Sequence, residues 1–228
     1  LCTMSVFNGF RDLIGSLYTA FDPQIEVVPA KGKLAAADDP ALTQIRRHPL
    51  VEAASDCLED HALILFRGRP CVITLKGVDD QFDKVTDIRS ILYGEGTYKL
   101  HAPDIHYGIP GIGLASVMGG LDYGTIQVCA PRKGEKVNLT NPGESFNTDD
   151  LTATGLCFDV HQRKYDENYL ITSLACAQNL FEQPGLITGV EIRLKPGTDV
   201  DRAKSELQRM EGHRFGVHAQ PAQHEAKL

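Results

Sequence analysis

The amino-acid sequence predicts an α+β fold in which the two chain ends build one unit and a long middle segment is inserted between them. Strand–helix patterns recur at both ends: "QIEVVPA" then "DPALTQIRRHP" near the start, and "GLITGVEIRLKPG", "TDVDRAKSELQRME" and "RFGVHAQ" near the end. The texture changes at "KGVDDQ" and again at "EQPG", and the residues between form short segments punctuated by glycine and polar loops. A domain must cover each apolar face with another element, so matching patterns around foreign material point to one core split by an insertion. The expected units are residues 22–78 with 185–228, and the insertion 79–184.

Along the chain, residues 5–21 read as an amphipathic helix. Phe10, Leu13, Ile14, Leu17, Tyr18 and Phe21 repeat at helical spacing, and Arg11, Asp12 and Ser16 take the other side. Asp22-Pro23 stops it, because proline disfavours helix in the residue before it. The pattern fits a helix packed on its own domain, or the emerging end of a longer one. A strand follows, then a short helix with Pro40 near its start and Pro49 beyond its end. Residues 51–78 read as two or three antiparallel strands turning at Arg67-Gly68-Arg69-Pro70.

In the insertion, "GIGLASVMGG" is a helical turn running into glycines, "GTIQVCAP" and "LTATGLCFDV" are strands, and "YLITSLACAQNLF" runs from strand to helix with Thr172 or Ser173 as cap. Between the first two strands lie residues 132–150, "RKGEKVNLTNPGESFNTDD", polar and too long for a tight hairpin; such loops are functional or disordered. Near the C-terminus, Leu186, Thr188, Val190, Ile192 and Leu194 alternate onto one strand face. Val200, Ala203, Leu207 and Met210 then form a helical stripe.

Composition narrows the function classes. The 228 residues carry a net charge of −7, which argues against a nucleic-acid surface. No window approaches the roughly 18 apolar residues of a membrane span. Leu1–Met4 is too short for the apolar region of a signal peptide, so any export address is expected outside this stretch. The six cysteines have no CxxC and no metal-ligand spacing, so buried free thiols are expected, with a Cys129–Cys157 disulfide left open. The histidine pairs His101/His106 and His213/His218 are read as packed or solvated, and the acidic pairs Asp79-Asp80 and Asp149-Asp150 as solvated loop residues. Gly111-x-Gly113 lacks the remaining dinucleotide signature, and no nucleophile elbow or HExxH is present. The expectation is no catalytic residues, no metal and no cofactor in this domain.

Several stretches, in order, resemble the extracytoplasmic domain of lipoprotein-releasing ABC transporter permeases of the LolC/LolE type. "SVFNGFRDLI" resembles the exit of their first transmembrane helix, "QIEVVPAKG" their first strand, and "VITLKGVDDQF" the strand before the inserted subdomain. "GIGLASVMGGLDYGTIQVCAP", "LTATGLCFDV", "YLITSLACAQNLF" and "ITGVEIRLKPGTDVDRAKSELQ" are similar to the pieces that follow, and "HAQPAQHEAKL" to the approach to the second membrane helix. The resemblance covers essentially the whole chain. It implies a MacB-like periplasmic core domain: a discontinuous porter subdomain (22–78 and 185–228), an inserted sabre subdomain (79–184), and residues 1–21 as the extracytoplasmic end of a membrane helix.

The resemblance further implies a bacterial inner-membrane protein with this domain in the periplasm. ATP would be hydrolysed by a separate cytoplasmic subunit, and a second permease copy or paralogue would associate through the membrane part. The cargo would be lipoproteins handed to a periplasmic carrier. In that family a protruding hairpin, the hook, recruits the carrier; its position corresponds to residues 132–150, with Arg132, Lys133, Lys136, Asn141, Pro142, Gly143, Phe146, Asp149 and Asp150 as candidate contacts. Here Asp149-Asp150 stands where the family has a polar residue and an arginine, which opposes a like-for-like contact. The alternatives are a MacB-like or FtsX-like domain coupling ATP turnover to an outer-membrane partner or a cell-wall hydrolase, and a free-standing enzyme using a cysteine or histidine.

Overall fold

The computed structural model describes residues 20–133 and 142–219. Most of the 5–21 helix therefore lies outside the described residues, as do Lys136 and Asn141. Ala20 and Phe21, the first described residues, are both 1% exposed. Strand β1 (Ile25–Pro29) follows, then β2 (Ala35–Ala36) and helix α1 (Pro40–Arg46). Asp39 caps α1 by accepting a hydrogen bond from the Ala41 N–H at 2.9 Å, and Pro40 occupies the first turn where no donor is needed. The region read as two or three strands is one long hairpin, β3 (Val51–Phe66) and β4 (Arg69–Val78). It turns at Arg67-Gly68, whose φ values of 51° and 75° give the double left-handed geometry that matches strand twist.

The insertion contributes α2 (Phe82–Val85), β5 (Leu92–Gly94), β6 (His101–Ala102), β7 (Ile105–Pro110), α3 (Ile112–Val117) and β8 (Thr125–Pro131). Then come β9 (Phe146–Ala153), β10 (Leu156–Phe158), α4 (Arg163–Asp166), β11 (Tyr169–Ser173) and α5 (Leu174–Leu180). Of the two cap candidates it is Ser173 that caps α5, accepting from the Cys176 N–H. The segment read as one strand, "LTATGLCFDV", breaks at Gly155, whose φ is 81°, and its two halves pair with different partners. The chain closes with β12 (Leu186–Ile187), β13 (Gly189–Leu194), α6 (Val200–Glu211) and β14 (Phe215–Ala219).

Among the described residues ten strands form one sheet in the order β14-β1-β13-β3-β4-β11-β7-β9-β8, with β6 beside β7. β13 lies between β1 and β3, so the two chain ends share their sheet. The insertion joins the same sheet at two places. β11 runs parallel to β4, and the end of β3 pairs with β8 through Leu63↔Cys129, Ile64↔Val128 and Leu65↔Gln127. β3, β4, β11, β7, β9 and β8 therefore close into a circuit. The sheet is thus continuous across both boundaries expected at 78/79 and 184/185.

Three apolar clusters fill the fold. Helices α1 and α6 cover one face of the chain-end strands through Leu42, Ile45, Ala203 and Leu207, packed on Ile25, Val27, Val190 and Ile192. A second cluster joins Leu58, Ile64, Ile73 and Leu75 to Val128, Leu151 and Leu170, with α5 against it. α5 comes so close that a Cβ on Gly77 would sit 2.4 Å from the Ala177 Cβ, so β4 needs glycine there. The third cluster gathers Phe21, Phe82, Phe158, Ile109 and Ile171. Cys57, Cys71, Cys129, Cys157 and Cys176 are free thiols, Cys71 half-buried and the others buried. Among the described residues no helix is long and apolar enough to cross a membrane.

Candidate functional site

The joint at Phe21 is built from alternation. In β1, Ile25 and Val27 face the helices, which turns Glu26 to the opposite face. The register places Glu26 directly opposite Glu191 on one side and His218 on the other, and Glu59 opposite Lys76. Two carboxylates facing each other across neighbouring strands repel, and Lys76 answers them. Its ammonium lies 2.6 Å from Glu191 Oε1, with both side chains almost fully buried. It also lies 5.1 Å from the Phe21 ring centre and 5.4 Å from that of Phe82, within cation–π range.

Phe21 meanwhile packs against Phe158, Tyr165 and Tyr169 at centroid distances of 5.0, 4.6 and 5.4 Å. Tyr165 donates its hydroxyl to Asp22 at 3.0 Å, and Tyr169 donates to Glu59. Phe21 and Asp22 are therefore clamped by β4 and, from the inserted segment, by β10, α4 and β11 together. An open cleft of about 560 Å³ borders the joint, lined among others by Glu26, Glu59, Lys164 and Tyr169.

One ammonium cannot satisfy so many carboxylates. Burial would push Lys76 down, but Glu191 and Glu59 beside it hold it well above the usual lysine value, so it stays charged. Burial raises Glu191 to about 7 against the pull of Lys76, and raises Asp22 and Glu26 as well. Glu191 Oε2 has no hydrogen-bond partner among the described residues. These folded-state values lie above those of the unfolded chain. Their contribution to stability is fully present below the ordinary glutamate value of 4.5 and is lost as pH rises through about 7. Thermal melts should therefore show a melting temperature that falls between about pH 4.5 and about pH 7. Glu191→Gln should flatten that slope; an unchanged slope in the variant would remove Glu191 as its source.

The second candidate region is the β8–β9 hairpin that carries residues 132–150. Its strands pair from Thr125↔Thr152 to Pro131↔Phe146. The sequence reading extended the loop to Asp150, but Phe146, Asn147, Thr148, Asp149 and Asp150 belong to β9. Polar residues are tolerated in this strand because its outward positions, Thr148 and Asp150, face solvent. Asp149-Asp150 is consequently not a solvated loop pair: Asp150 is exposed, whereas Asp149 turns toward α5 and accepts from the Cys176 thiol at 3.5 Å. Arg132 and Lys133 are exposed at the root, and Pro142 and Gly143 open the short turn Pro142–Ser145 that leads into β9.

The root is tied to the end of α5. The Lys133 N–H donates to Glu182 at 2.7 Å, which holds that exposed carboxylate below its ordinary range, and the Asn147 amide donates to the Leu180 carbonyl. His106 and His101 are cross-strand neighbours on β7 and β6; His101 contacts Asp80, and His106 Nδ1 meets Ser173 Oγ at 2.9 Å. His106, Asp149 and Cys176 offer ligand-type atoms within 4.8 Å of one another. Burial pushes the Cys176 thiol up to about 12, with Asp149 adding to it. A thiol held so high is no nucleophile at neutral pH, because the thiolate is the reactive form.

No family model and no curated protein matches the sequence. Solved structures do. The periplasmic region of MacB from Actinobacillus actinomycetemcomitans superposes with a TM-score of 0.61 at 8% identity, over 95% of this chain and 96% of that one. The chain has the MacB periplasmic fold. The extracellular domain of the ABC-type transporter YknZ from Gram-positive bacteria gives a TM-score of 0.55 at 11% identity, over 85% of this chain and 98% of that one. At such identities the likeness speaks for the fold alone.

Within this MacB-like fold, sequence reasoning placed the hairpin but missed the joint. Lys76 and Glu191 are 115 residues apart, and no local pattern links them. The available signal was a charged residue at the centre of two apolar strands, "VITLKGV" and "GVEIRL".

Proposed function

We propose that this chain is the extracytoplasmic domain of an ABC transporter permease, standing in the periplasm beside a bacterial inner membrane and transmitting movement rather than performing catalysis. The observation that carries this reading is the joint: Phe21 and Asp22 enter the core clamped by Lys76, Tyr165 and the neighbouring rings. A shift of the preceding segment would pass directly into β4 and β11. A separate cytoplasmic subunit would hydrolyse ATP, and a second permease copy or paralogue would join through the membrane part.

The finer reading is release of lipoproteins to a periplasmic carrier, with the β8–β9 hairpin as the hook. Its support is the hairpin's place in the chain and its root anchored on α5. Mechanical coupling to a periplasmic or outer-membrane partner is the second reading. It is favoured by β3, whose 16 residues extend roughly 50 Å and run from the chain-end strands into the closed circuit.

One experiment separates the two. In the full-length permease with its ATP-binding subunit, residues 134–141 are replaced by Asn-Gly, a turn-forming pair that leaves a short connection between Lys133 and Pro142. The hook reading expects a melting temperature within a few degrees of wild type, with carrier capture and lipoprotein release abolished. Retained release removes the hook, and a variant that unfolds makes the segment structural. ATP turnover coupled to export without any carrier favours the mechanical reading.

A further inference from the structure

We propose that His106, Asp149 and Cys176 bind one zinc ion, with water completing the coordination. The three side chains come from β7, β9 and α5, and their ligand-type atoms all lie within 4.8 Å of one another. Imidazole, carboxylate and thiolate are the three side-chain ligands zinc uses, and three protein ligands plus water is an ordinary zinc arrangement. Zinc bonds of about 2.0–2.3 Å set tetrahedral ligands roughly 3.5 Å apart, so the side chains must close by about 1 Å. The sulfur and imidazole argue against calcium and magnesium, which prefer oxygen.

The surroundings support the same ion. His106 Nδ1 meets Ser173 Oγ at 2.9 Å, and Ser173 is itself fixed by the Cys176 N–H at 3.2 Å. A ligand histidine is commonly oriented by such an outer hydrogen bond. Hydrogen bonds hold Cys176 on Asp149 and His106 on Ser173, and between them they bring all three ligand-type groups to one point. A zinc ion here would fasten the β9 arm of the hairpin to α5, next to the links that Lys133 and Asn147 already make. Spacing in the sequence could not reveal the site, because each ligand sits on a different element. The inference does not depend on the transport reading.

The test uses the full 228-residue chain, stripped of metal and titrated with Zn²⁺ and separately with Co²⁺. One high-affinity ion per chain is expected, with thiolate-to-cobalt charge-transfer absorption and a melting temperature raised by Zn²⁺. Cys176→Ser should abolish the absorption band. His106→Ala and Asp149→Asn should each weaken Zn²⁺ binding by more than about 100-fold, beyond the roughly 10–100-fold that loss of an outer hydrogen bond commonly costs. His213→Ala, in the turn after α6, should change nothing. Absence of the charge-transfer band in the wild type, or Zn²⁺ affinity unchanged by both His106→Ala and Asp149→Asn, overturns the proposal.

Discussion

Replacing Lys76 by methionine should destabilise the domain by about 3–5 kcal/mol, because the buried carboxyls around it lose their shared ammonium and must either stay charged in the interior or take up protons. For a chain of this size that corresponds to a fall in melting temperature of roughly 6–20 °C. The cost is specific to the joint: Glu191 is left buried beside Glu26, and Glu59 loses its cross-strand neighbour. Adding Glu191→Leu to Lys76→Met should recover part of the loss, since an apolar pair can replace a buried ion pair with little penalty. Chemical denaturation of the two single variants and the double gives the coupling directly. A loss below about 1 kcal/mol in Lys76→Met would put the pair in the range of surface salt bridges and remove its role as a clamp.

Phe21→Ala should cost about 3–5 kcal/mol, the range for deleting a buried aromatic side chain. The ring contacts Phe158, Tyr165 and Tyr169, and its face carries Lys76, so truncation opens a cavity and removes a cation–π contact together. Phe21→Leu, which refills much of the volume, should cost clearly less. On the proposed transport reading, Phe21→Ala in the full-length protein should also loosen coupling, with ATP turnover persisting while transport falls. Denaturant melts measure the first effect and paired ATPase and transport assays the second. Transport that keeps pace with ATP turnover in this variant would mean that force does not pass through the ring.

The parts of the fold legible in the sequence are those set by local chemistry. Arg67-Gly68 gives the turn of the long hairpin, Pro40 and Pro49 bracket α1, and Ser173 caps α5. Val190, Ile192 and Leu194 alternate toward the helices as their spacing requires. The same alternation sent Glu191 to the other face, where a solvent-facing position is the ordinary expectation. It is buried because the entering chain and Lys76 cover that face, a fact of tertiary packing. The start of β9 was hidden for a similar reason. Phe146–Asp150 has the composition of a loop, and only its pairing with β8 makes it a strand.

The site was legible in proportion to how local it is. The hairpin announced itself as a polar run between two apolar strands. The continuity of the sheet did not, since the parallel pairing of β11 with β4 joins residues across the whole insertion and leaves no mark in periodicity. His106, Asp149 and Cys176 were read separately, as a packed or solvated histidine, a solvated acid and a buried thiol, and meet only because β7 runs parallel to β9 beneath α5.

The closed circuit of β3, β4, β11, β7, β9 and β8 has a consequence for how this chain meets other chains. A strand with neighbours on both sides has no row of unpaired N–H and C=O groups for a foreign strand to copy. By strand order the main sheet ends instead at β14, five residues from Phe215 to Ala219, with the two-residue β6 as its other outlying strand. Among the described residues the main sheet's longest border is thus β14, and Gln208 already occupies part of it, accepting from the Val217 N–H at 2.9 Å and donating to the Phe215 carbonyl at 2.8 Å. Uncovering that border with Gln208→Ala is the change that tells whether any self-association of the isolated domain proceeds by strand pairing, which the variant should increase, or by side-chain contact, which it should leave unchanged.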